Sequence, residues 1–218
     1  DLVKLAQFTM PDHSQPNDPN ATIYSAQPHH YLLRDVFQRV MDGKLLKVII
    51  SLPPQSGKSR LAKTFLAMHA GKFPWKHVIF GTYNHSFHEE NGGDVRNILD
   101  YPQYHLTFPK IRLAKGSKAK DHMMIDGYDG KLAFAGRGGS VSGRPGDGVL
   151  FDDFFKNSQE ASSLTVRDEV WNFLTRVVFA RCHMHSWQII VSTRWSHDDP
   201  IARLTDPTNP YYVKSVAD

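Results

Sequence analysis

The segment from Lys47 to Arg60 constrains this chain more than any other. Residues 47–52 are apolar and rich in branched side chains, which is typical of a buried strand. The sequence Pro-Pro-Gln-Ser-Gly-Lys-Ser follows at 53–59, and a helix-compatible run covers 60–69. A phosphate-binding loop needs a strand, a tight loop and a helix in this order, because backbone N–H groups and the helix dipole then point at one anion. The match is incomplete, since Leu52 stands where the pattern usually has glycine.

The residues of this loop have distinct expected roles. In phosphate-binding loops the lysine, here Lys58, reaches the β- and γ-phosphate oxygens, and the hydroxyl of Ser59 coordinates Mg²⁺. An incidental Gly-Lys-Ser at a strand-to-helix turn is the alternative interpretation, and the motifs farther along the chain favour the phosphate site. The remaining candidate nucleotide contacts in the loop are Pro54, Gln55, Ser56, Gly57 and Arg60.

Strand-like and helix-like runs alternate along the sequence, which indicates an α/β fold with a central, mainly parallel sheet flanked by helices. One helix, predicted at 158–180, contains a possible break near Ser163, because serine and threonine residues there can cap a new helix. The predicted elements are helices at 30–41, 60–69, 86–99, 158–180 and 200–204, strands at 47–52, 77–83, 148–151, 188–192 and 211–216, and a hairpin over 122–135.

Length and composition set the domain organisation. A chain of 218 residues can bury one sizeable core, so we expect one domain at 23–218 and, ahead of it, a loosely held arm at 1–22. A single cysteine, Cys182, excludes an internal disulfide and fits a reducing compartment. No apolar run is long enough to span a membrane. Because the chain begins with Asp1 and ends after a strand-like run, we expect it to be part of a longer protein.

A second candidate site follows a glycine-rich stretch at 136–146. The apolar run 148–151 leads directly into Asp152 and Asp153. A carboxylate at the end of a buried strand is what a nucleotide hydrolase needs. Asp152 is therefore expected to hold Mg²⁺, and Asp153 to orient or deprotonate the attacking water.

Polar residues at two further places complete the candidate site. Thr193 follows the predicted strand 188–192, and in open α/β sheets such a position lies near the ligand crevice, where it can sense the γ-phosphate. A simple turn into the next helix is the alternative. Gln27 and His30 lie in an aromatic-rich segment ahead of the loop. They are candidates to hold an adenine ring, and helix capping and packing are the competing interpretation.

The basic run at residues 110–120 has two interpretations. Residues 110–120 carry five basic side chains, and the formal net charge of the chain is +4. A solvated loop is the ordinary explanation for such a run, and contact with a nucleic-acid backbone is the sharper one.

The motifs, taken in order, resemble those of the ATPase domain of the large subunit of tailed-bacteriophage terminases, from about residue 24 to residue 204. Residues 53–59 resemble the family's Pro-Pro-Arg-x-Gly-Lys-Ser loop, and 139–144 resemble its Gly-Ser-x-Thr-Gly-Arg segment. Residues 150–157 resemble its Asp-Asp-Pro-x-Lys-Asn segment, and 192–199 resemble its Thr-Arg-Trp-His-x-Asp-Asp coupling motif. Four motifs in the family's order are far more specific than any one of them.

The resemblance implies a P-loop NTPase fold of the additional-strand type, hydrolysis of ATP with Mg²⁺, and translocation of double-stranded DNA into a procapsid. Another nucleic-acid translocase or helicase on the same fold is the alternative. A C-terminal nuclease domain is expected in the full-length protein but not in these 218 residues, from which we expect no nuclease activity. The implied partners are double-stranded DNA, a portal protein, a small terminase subunit and further copies in a homo-oligomeric, pentameric ring. The implied location is the host cytoplasm, transiently on the procapsid and away from membranes.

The resemblance also implies an arginine finger, a cation that a neighbouring subunit supplies to the γ-phosphate. Arg144 is the first candidate and Arg137 the second. Two departures from the family matter. Gln55 stands where the family often has arginine, and Phe154 follows the acid pair where proline is frequent. Since aspartate is shorter than the glutamate often found there, Glu160 is an alternative to Asp153.

Overall fold

In a computed structural model, the chain forms a six-stranded sheet with helices on both faces. The structure describes residues 1–15, 18, 20–115, 122–139 and 145–213, with the backbone alone at 85–88. The strands are β1 Lys47–Ser51, β2 His77–Thr82, β3 His122–Met124, β4 Lys131–Gly136, β5 Gly146–Asp152 and β6 Cys182–Ser192. The helices are α1 Leu2–Phe8, α2 Pro28–Met41, α3 Lys58–Lys72, α4 His85–Asp100, α5 Pro102–Thr107, α6 Ser158–Ser162, α7 Leu164–Asn172 and α8 Pro200–Thr205.

The strand order is β1-β6-β5-β2-β4-β3. Every neighbouring pair is parallel except β3 and β4, which pair antiparallel as the predicted hairpin requires. Strand β6 lies between β1 and β5, although it follows both of them along the chain. This strand is the additional strand of the predicted fold. The prediction of an α/β protein with a central, mainly parallel sheet is confirmed.

Each face of the sheet carries its own hydrophobic core. In β2, Val78 and Phe80 belong to a core shared with helices α1 to α5, whereas Ile79 belongs to a core shared with α6 to α8. Strand β5 divides in the same way, with Leu150 in the first core and Phe151 in the second. Burial on both faces explains why these strands read as continuous apolar runs.

The N-terminal segment does not form the loosely held arm that we expected. Residues Leu2–Phe8 form α1, and Leu2, Val3, Leu5 and Ala6 are buried in the first core. The carboxylate of Asp1 accepts a hydrogen bond from the backbone N–H of Lys4 at 3.0 Å and so caps the helix. Four buried apolar side chains hold the segment, despite the prolines that follow it. The domain boundary at 22–23 stays a prediction.

Several other elements differ from the sequence-based prediction. The helix expected at 158–180 divides at Ser163 into α6 and α7, as the capping residues there allowed. It then continues as a π-helix at Phe173–Val178 and a 3-10 turn at Phe179–Arg181. Strand β6 begins at Cys182 rather than at residue 188. The described residues of the expected last strand, 211–213, are not extended into a strand, and its remainder lies outside the described residues.

One further element was not expected, the short helix α5 after α4. The basic run at 110–120 is described only as far as residue 115. Within the described part of the chain, no helix combines the length and the apolar character needed to cross a bilayer.

The packing of Gly148 against Trp187 yields a prediction. A Cβ atom at Gly148 would lie 2.0 Å from the indole ring of Trp187, whose Nε1 donates to Nε2 of His69 at 3.2 Å. The ring cannot move without breaking this buried hydrogen bond. We therefore expect Gly148→Ala to destabilise the fold by about 1–3 kcal/mol, the usual effect of overpacking.

Chemical denaturation measures the effect, and Gly93→Ala in α4 is the matched control. A Cβ atom at Gly93 meets nothing within 4 Å, so helix propensity alone should stabilise the protein by about 0.5–1 kcal/mol. Equal unfolding midpoints for the two variants would contradict the packing argument.

Candidate nucleotide-binding site

The carboxyl ends of three parallel strands meet at one edge of the sheet. Ser51 at the end of β1 pairs with Ser192 at the end of β6, and Asp152 at the end of β5 pairs with Val191. The loop at 52–57, the acid pair and Thr193 therefore lie side by side, although they are far apart in sequence. Ligands of open α/β sheets bind at this edge.

The loop after β1 has the backbone of a phosphate cradle. Gly57 has φ of 76° and directly precedes α3, which begins at Lys58 rather than at the predicted residue 60. Gln55 also lies in the left-handed region, with φ of 61°. The hydroxyl oxygen of Ser56 is buried without a hydrogen-bond partner among the described residues. A buried, unpaired hydroxyl inside the loop fits a site that receives phosphate oxygens.

Lys58 lies at the centre of the site. Its side chain is 6% exposed, and Nζ donates to Oγ1 of Thr193 at 3.1 Å and lies 3.5 Å from Oδ2 of Asp153. The hydroxyl of Thr193 donates in turn to the carbonyl oxygen of Leu52 at 3.1 Å. A buried ammonium group needs anionic or polar partners. Phosphate oxygens that enter the loop would compete with Thr193 and Asp153 for the ammonium group of Lys58. The structure thus brings the predicted Lys58, Asp153 and Thr193 together.

Ser59 and Asp152 form the second half of the site. The hydroxyl of Ser59 donates to Oδ1 of Asp152 at 3.1 Å, and Asp152 is 3% exposed. Burial, and then the negative charge of Asp153, raise the pKa of Asp152 to about 7, and the hydrogen bond from Ser59 opposes this shift. A cation beside this carboxylate would stabilise its ionised form.

The donor set at Ser59 and Asp152 fits Mg²⁺. Magnesium in nucleotide sites takes one or two protein oxygens and completes its shell with water and phosphate oxygens. The described residues contain no group of three or more histidine, cysteine, aspartate or glutamate side chains arranged to hold a metal. A hydroxyl and a carboxylate oxygen are suited to a metal that arrives with a phosphate ligand.

The backbone of Asp153 is in a conformation that non-glycine residues rarely adopt, with φ of 51°. Its N–H donates to the carbonyl oxygen of Val191 at 2.9 Å, and its Oδ1 accepts the N–H of Thr193 at 3.2 Å. These bonds to the end of β6 hold the residue in the left-handed region and aim its carboxylate towards Lys58. Uncommon backbone geometry of this kind clusters at functional sites.

His30 packs against the phosphate loop, and both of its ring nitrogens are engaged within the protein. Its Nδ1 accepts the N–H of Gln27 at 3.0 Å, and its Nε2 bonds to the carbonyl oxygen of Ser56 at 2.9 Å. With both ring nitrogens engaged and 4% of the residue exposed, it has no free edge for a base. Gln27 is exposed, and its amide nitrogen donates to the hydroxyl of Ser25 at 3.2 Å. An open cavity of about 330 Å³ lies between Gln27 and the loop.

The guanidinium of Arg60 bonds to the N-terminal segment. It donates to the carbonyl oxygen of Thr9 at 3.1 Å and to the hydroxyl of the same residue at 3.0 Å. These bonds join the start of α3 to the end of α1. Arg60 also lines the open cavity beside the loop, so its predicted contact with the nucleotide stays a prediction.

The two arginine-finger candidates have different outcomes. Arg144 lies outside the described residues. Arg137 is held within its own subunit, with Nη2 3.4 Å from Glu160 and Nη1 3.5 Å from Glu169. Glu160, the alternative catalytic acid, also accepts the backbone N–H of Lys156 at 3.0 Å. These contacts give Arg137 and Glu160 a local role as an ion pair.

Two groups of contacts in the site were not predicted from the sequence. Asp199, 1% exposed, accepts from Nε of Arg194 at 2.9 Å and caps α8 through the N–H of Ala202 at 2.9 Å. The motif at 192–199 contains Asp198 and Asp199, so the sequence carries a signal for these contacts. His29 also bonds to Ser56, with 2.8 Å between Nε2 and the carbonyl oxygen, and nothing in the sequence pattern indicated this.

With this geometry established, the chain can be compared with known families. The sequence profile of the N-terminal part of the terminase large subunit, T4-like-virus type, matches residues 49–214. The chain belongs to this family. It is thus the N-terminal ATPase domain of a terminase large subunit, and the predicted resemblance is confirmed. Membership of this family implies nucleotide binding.

Solved structures of other terminases have the same fold. The crystal structure of the bacteriophage HK97 large terminase has a TM-score of 0.58 and 13% identity, and the match covers 100% of this chain and 44% of that one. An arginine-to-alanine variant of the Thermus phage P74-26 large terminase ATPase domain has a TM-score of 0.56 and 13% identity. The match covers 78% of this chain and 65% of that one. A second structure of that domain has a TM-score of 0.50 and 14% identity, and the match covers 67% of this chain and 58% of that one.

At such identities these likenesses show the fold alone, and they confirm the predicted α/β architecture with a mainly parallel sheet. The chain spans less than half the length of the HK97 protein. Among curated proteins, none matches the chain significantly.

The buried position of Asp152 generates a prediction about pH. Because its folded-state pKa of about 7 lies above the ordinary value of 3.8, folding disfavours its ionised form. The resulting destabilisation is absent below pH 4, grows between pH 4 and pH 7, and is complete above pH 7. We expect Asp152→Asn to raise the free energy of unfolding by a few kcal/mol at pH 8 and to change it little at pH 4.

Urea denaturation between pH 4 and pH 8, without nucleotide or Mg²⁺, measures this dependence. Asp126→Asn, a change of the same kind at an exposed position, is the control and should show no such trend. A stability difference that does not vary with pH would refute the assignment of the shift to Asp152.

Proposed function

We propose that this domain binds ATP with Mg²⁺ on the loop at 53–59 and hydrolyses it to ADP and phosphate. The observation that carries the proposal is the convergence of a buried lysine, a hydroxyl–carboxylate pair and a second carboxylate at one edge of the sheet. These groups are Lys58, Ser59, Asp152 and Asp153. Family membership supplies the reaction class, and the contacts support the individual roles.

The loop and Lys58 bind the triphosphate. Backbone N–H groups at the start of α3 bind phosphate oxygens, with Pro54, Gln55, Ser56 and Gly57 shaping the cradle. Lys58 donates to the β- and γ-phosphate oxygens, for which it exchanges its contact with Asp153. Ser59 and Asp152 would hold Mg²⁺, which would neutralise charge on the phosphates. Gln27 lies beside the open cavity next to the loop and is the better placed of the two predicted base contacts.

Asp153 positions the attacking water and accepts its proton. Its carboxylate is 30% exposed, so water can reach it, and its Oδ1 is aligned by the N–H of Thr193. Once Lys58 turns to the phosphates, the carboxylate is free of this contact and can accept a hydrogen bond from the water. The contacts of Glu160 with Arg137 and with the backbone favour Asp153 over Glu160 for this role.

Charge that develops on the γ-phosphate is stabilised by an arginine from a neighbouring subunit, with Arg144 as the first candidate. Arg137 would have to leave Glu160 and Glu169 before it could act, which makes it the second. An arginine finger raises the hydrolysis rate by about 10³- to 10⁵-fold. The requirement for a second subunit fits assembly into a ring, which the family implies.

Thr193 senses the state of the γ-phosphate, because its hydroxyl already contacts Lys58. The next residue, Arg194, bonds to Asp199, and Asp198 bonds to Arg203 of α8 at 2.9 Å and lies 3.3 Å from Arg167 of α7. Movement at the end of β6 is therefore passed to two helices. We propose that this connection couples phosphate release to movement of double-stranded DNA.

The motor acts as part of a larger assembly. Its proposed partners are double-stranded DNA, a portal protein, a small terminase subunit and further copies of itself in a pentameric ring. Its proposed location is the host cytoplasm, where it docks transiently on the procapsid. The formal net charge of +4 is compatible with a polyanionic partner.

The decisive experiment is the ATPase rate as a function of protein concentration, for wild type, Lys58→Ala and Arg144→Ala. We expect the wild-type rate per subunit to rise with concentration, because the finger comes from a second subunit. Lys58→Ala should lose phosphate binding and activity at every concentration. Arg144→Ala should still bind ATP but lose about 10³-fold or more in rate.

Arg39→Ala is the control, since Arg39 is an exposed arginine on α2 and should leave the rate unchanged. A normal rate in Arg144→Ala, with a flat concentration dependence, would refute a finger supplied by Arg144 from a second subunit. Full activity in Lys58→Ala would refute the proposed nucleotide site itself.

A further inference from the structure

Two histidines at the start of α2 bond to one carbonyl group of the phosphate-binding loop. Nε2 of His29 lies 2.8 Å, and Nε2 of His30 2.9 Å, from the carbonyl oxygen of Ser56. A carbonyl oxygen only accepts hydrogen bonds, so the Nε2 atom of each histidine carries a hydrogen. Its two lone pairs allow both bonds at once. The Ser56 carbonyl is therefore held from outside the loop by two donors.

The ring of His30 is fixed on both edges. Its Nδ1 accepts the N–H of Gln27 at 3.0 Å, so this nitrogen carries no hydrogen and the ring is neutral. The ring is buried and also packs against Tyr24, with 5.2 Å between ring centroids. Rotation of the ring would break the bonds to Gln27 and Ser56 together. His30 thus forms a rigid support between α2 and the loop.

Holding the Ser56 carbonyl fixes the direction of the next N–H group. The described chain contains no cis peptide bond, and in a trans peptide the C=O and N–H groups point in opposite directions. With the carbonyl directed at the histidines, the N–H of Gly57 points away from α2. Gly57 immediately precedes α3, where unpaired N–H groups attract anions. A Cβ atom at Gly57 would lie 2.6 Å from Nε2 of His30, so only glycine allows this approach.

We propose that His30, assisted by His29, is a positioning residue that orients the Ser56–Gly57 peptide for binding of the polyphosphate part of the nucleotide. Without these donors the carbonyl is free to turn into the loop, where its partial negative charge opposes the phosphates. The inference rests on the proposed function, since it concerns the same loop. It assigns the histidines to the phosphates and not to the base, although both side chains also line the neighbouring cavity.

Two substitutions separate the two bonds of His30. In His30→Gln the side-chain amide reaches the position of Nε2, so the donor to Ser56 is kept and the acceptor for Gln27 is lost. In His30→Asn the carbonyl oxygen takes the position of Nδ1, so the acceptor is kept and the shorter side chain cannot reach Ser56. Only His30→Asn releases the loop. His13→Asn, at an exposed histidine between α1 and α2, is the matched control.

Calorimetric titration with Mg²⁺–ATP and with Mg²⁺–tripolyphosphate, which has no base, tests the proposal. We expect His30→Asn to weaken both ligands by the same factor, about threefold to tenfold, which is the usual effect of one hydrogen bond. His30→Gln should bind both within about twofold of wild type, and the KM for ATP should follow the same pattern. His29→Ala, at a half-buried position, should weaken both ligands in the same direction even if His30→Asn fails to fold.

Three results would overturn the proposal. The first is wild-type affinity of His30→Asn and His29→Ala for tripolyphosphate. The second is a loss confined to ATP, which would assign the histidines to the base. The third is an equal loss in His30→Gln and His30→Asn, which would mean that support of α2 matters and the bond to Ser56 does not. If the wild-type protein binds neither ligand, the proposed function itself fails, and this inference fails with it.

Discussion

The placement of β6 between β1 and β5 is the constraint on which the rest of the site depends. Its hydrogen-bond ladders set Ser192 beside Ser51 on one side and Val191 beside Asp152 on the other. The residue that follows, Thr193, therefore emerges between the lysine of the loop and the acid pair. Its contacts with Lys58, Leu52 and Asp153 join all three segments. Neither β1 nor β5 alone could bring a buried cation and two carboxylates to one place.

The fold concentrates charge where water is scarce. Lys58 and Asp152 are both nearly inaccessible, and Asp153 adds a second carboxylate beside them. Removal of charged groups from water is unfavourable unless each finds a partner, and the partners here are hydroxyl groups and one cation. Such an arrangement lowers the stability of the protein alone and favours a ligand that brings both anionic phosphates and a divalent cation. The site thus gives up stability for affinity, as active sites commonly do.

Local pattern predicted the strand–loop–helix unit, the acid pair and Thr193, because in each case apolar residues lead directly into polar ones at the end of a strand. Local pattern did not predict which neighbours the side chains contact in the folded protein. Arg60 follows Ser59 in sequence, yet α1 is close enough to bind it, and four buried residues decide that position. His30 carries the residue type of a base contact, but its distance from Ser56 depends on how α2 packs against the loop. Packing of this kind has no periodic signature in a single sequence.

The late position of β6 in the chain has a consequence for synthesis of the protein. Among the described strands, β1 lies at the edge of the sheet with β6 as its one neighbour, and the contact between Leu52 and Thr193 spans 141 residues. A growing chain therefore exposes β1 as an unpaired strand until residues 182–192 leave the ribosome. Pairing over such a distance is slow, and an unpaired edge invites association with other chains.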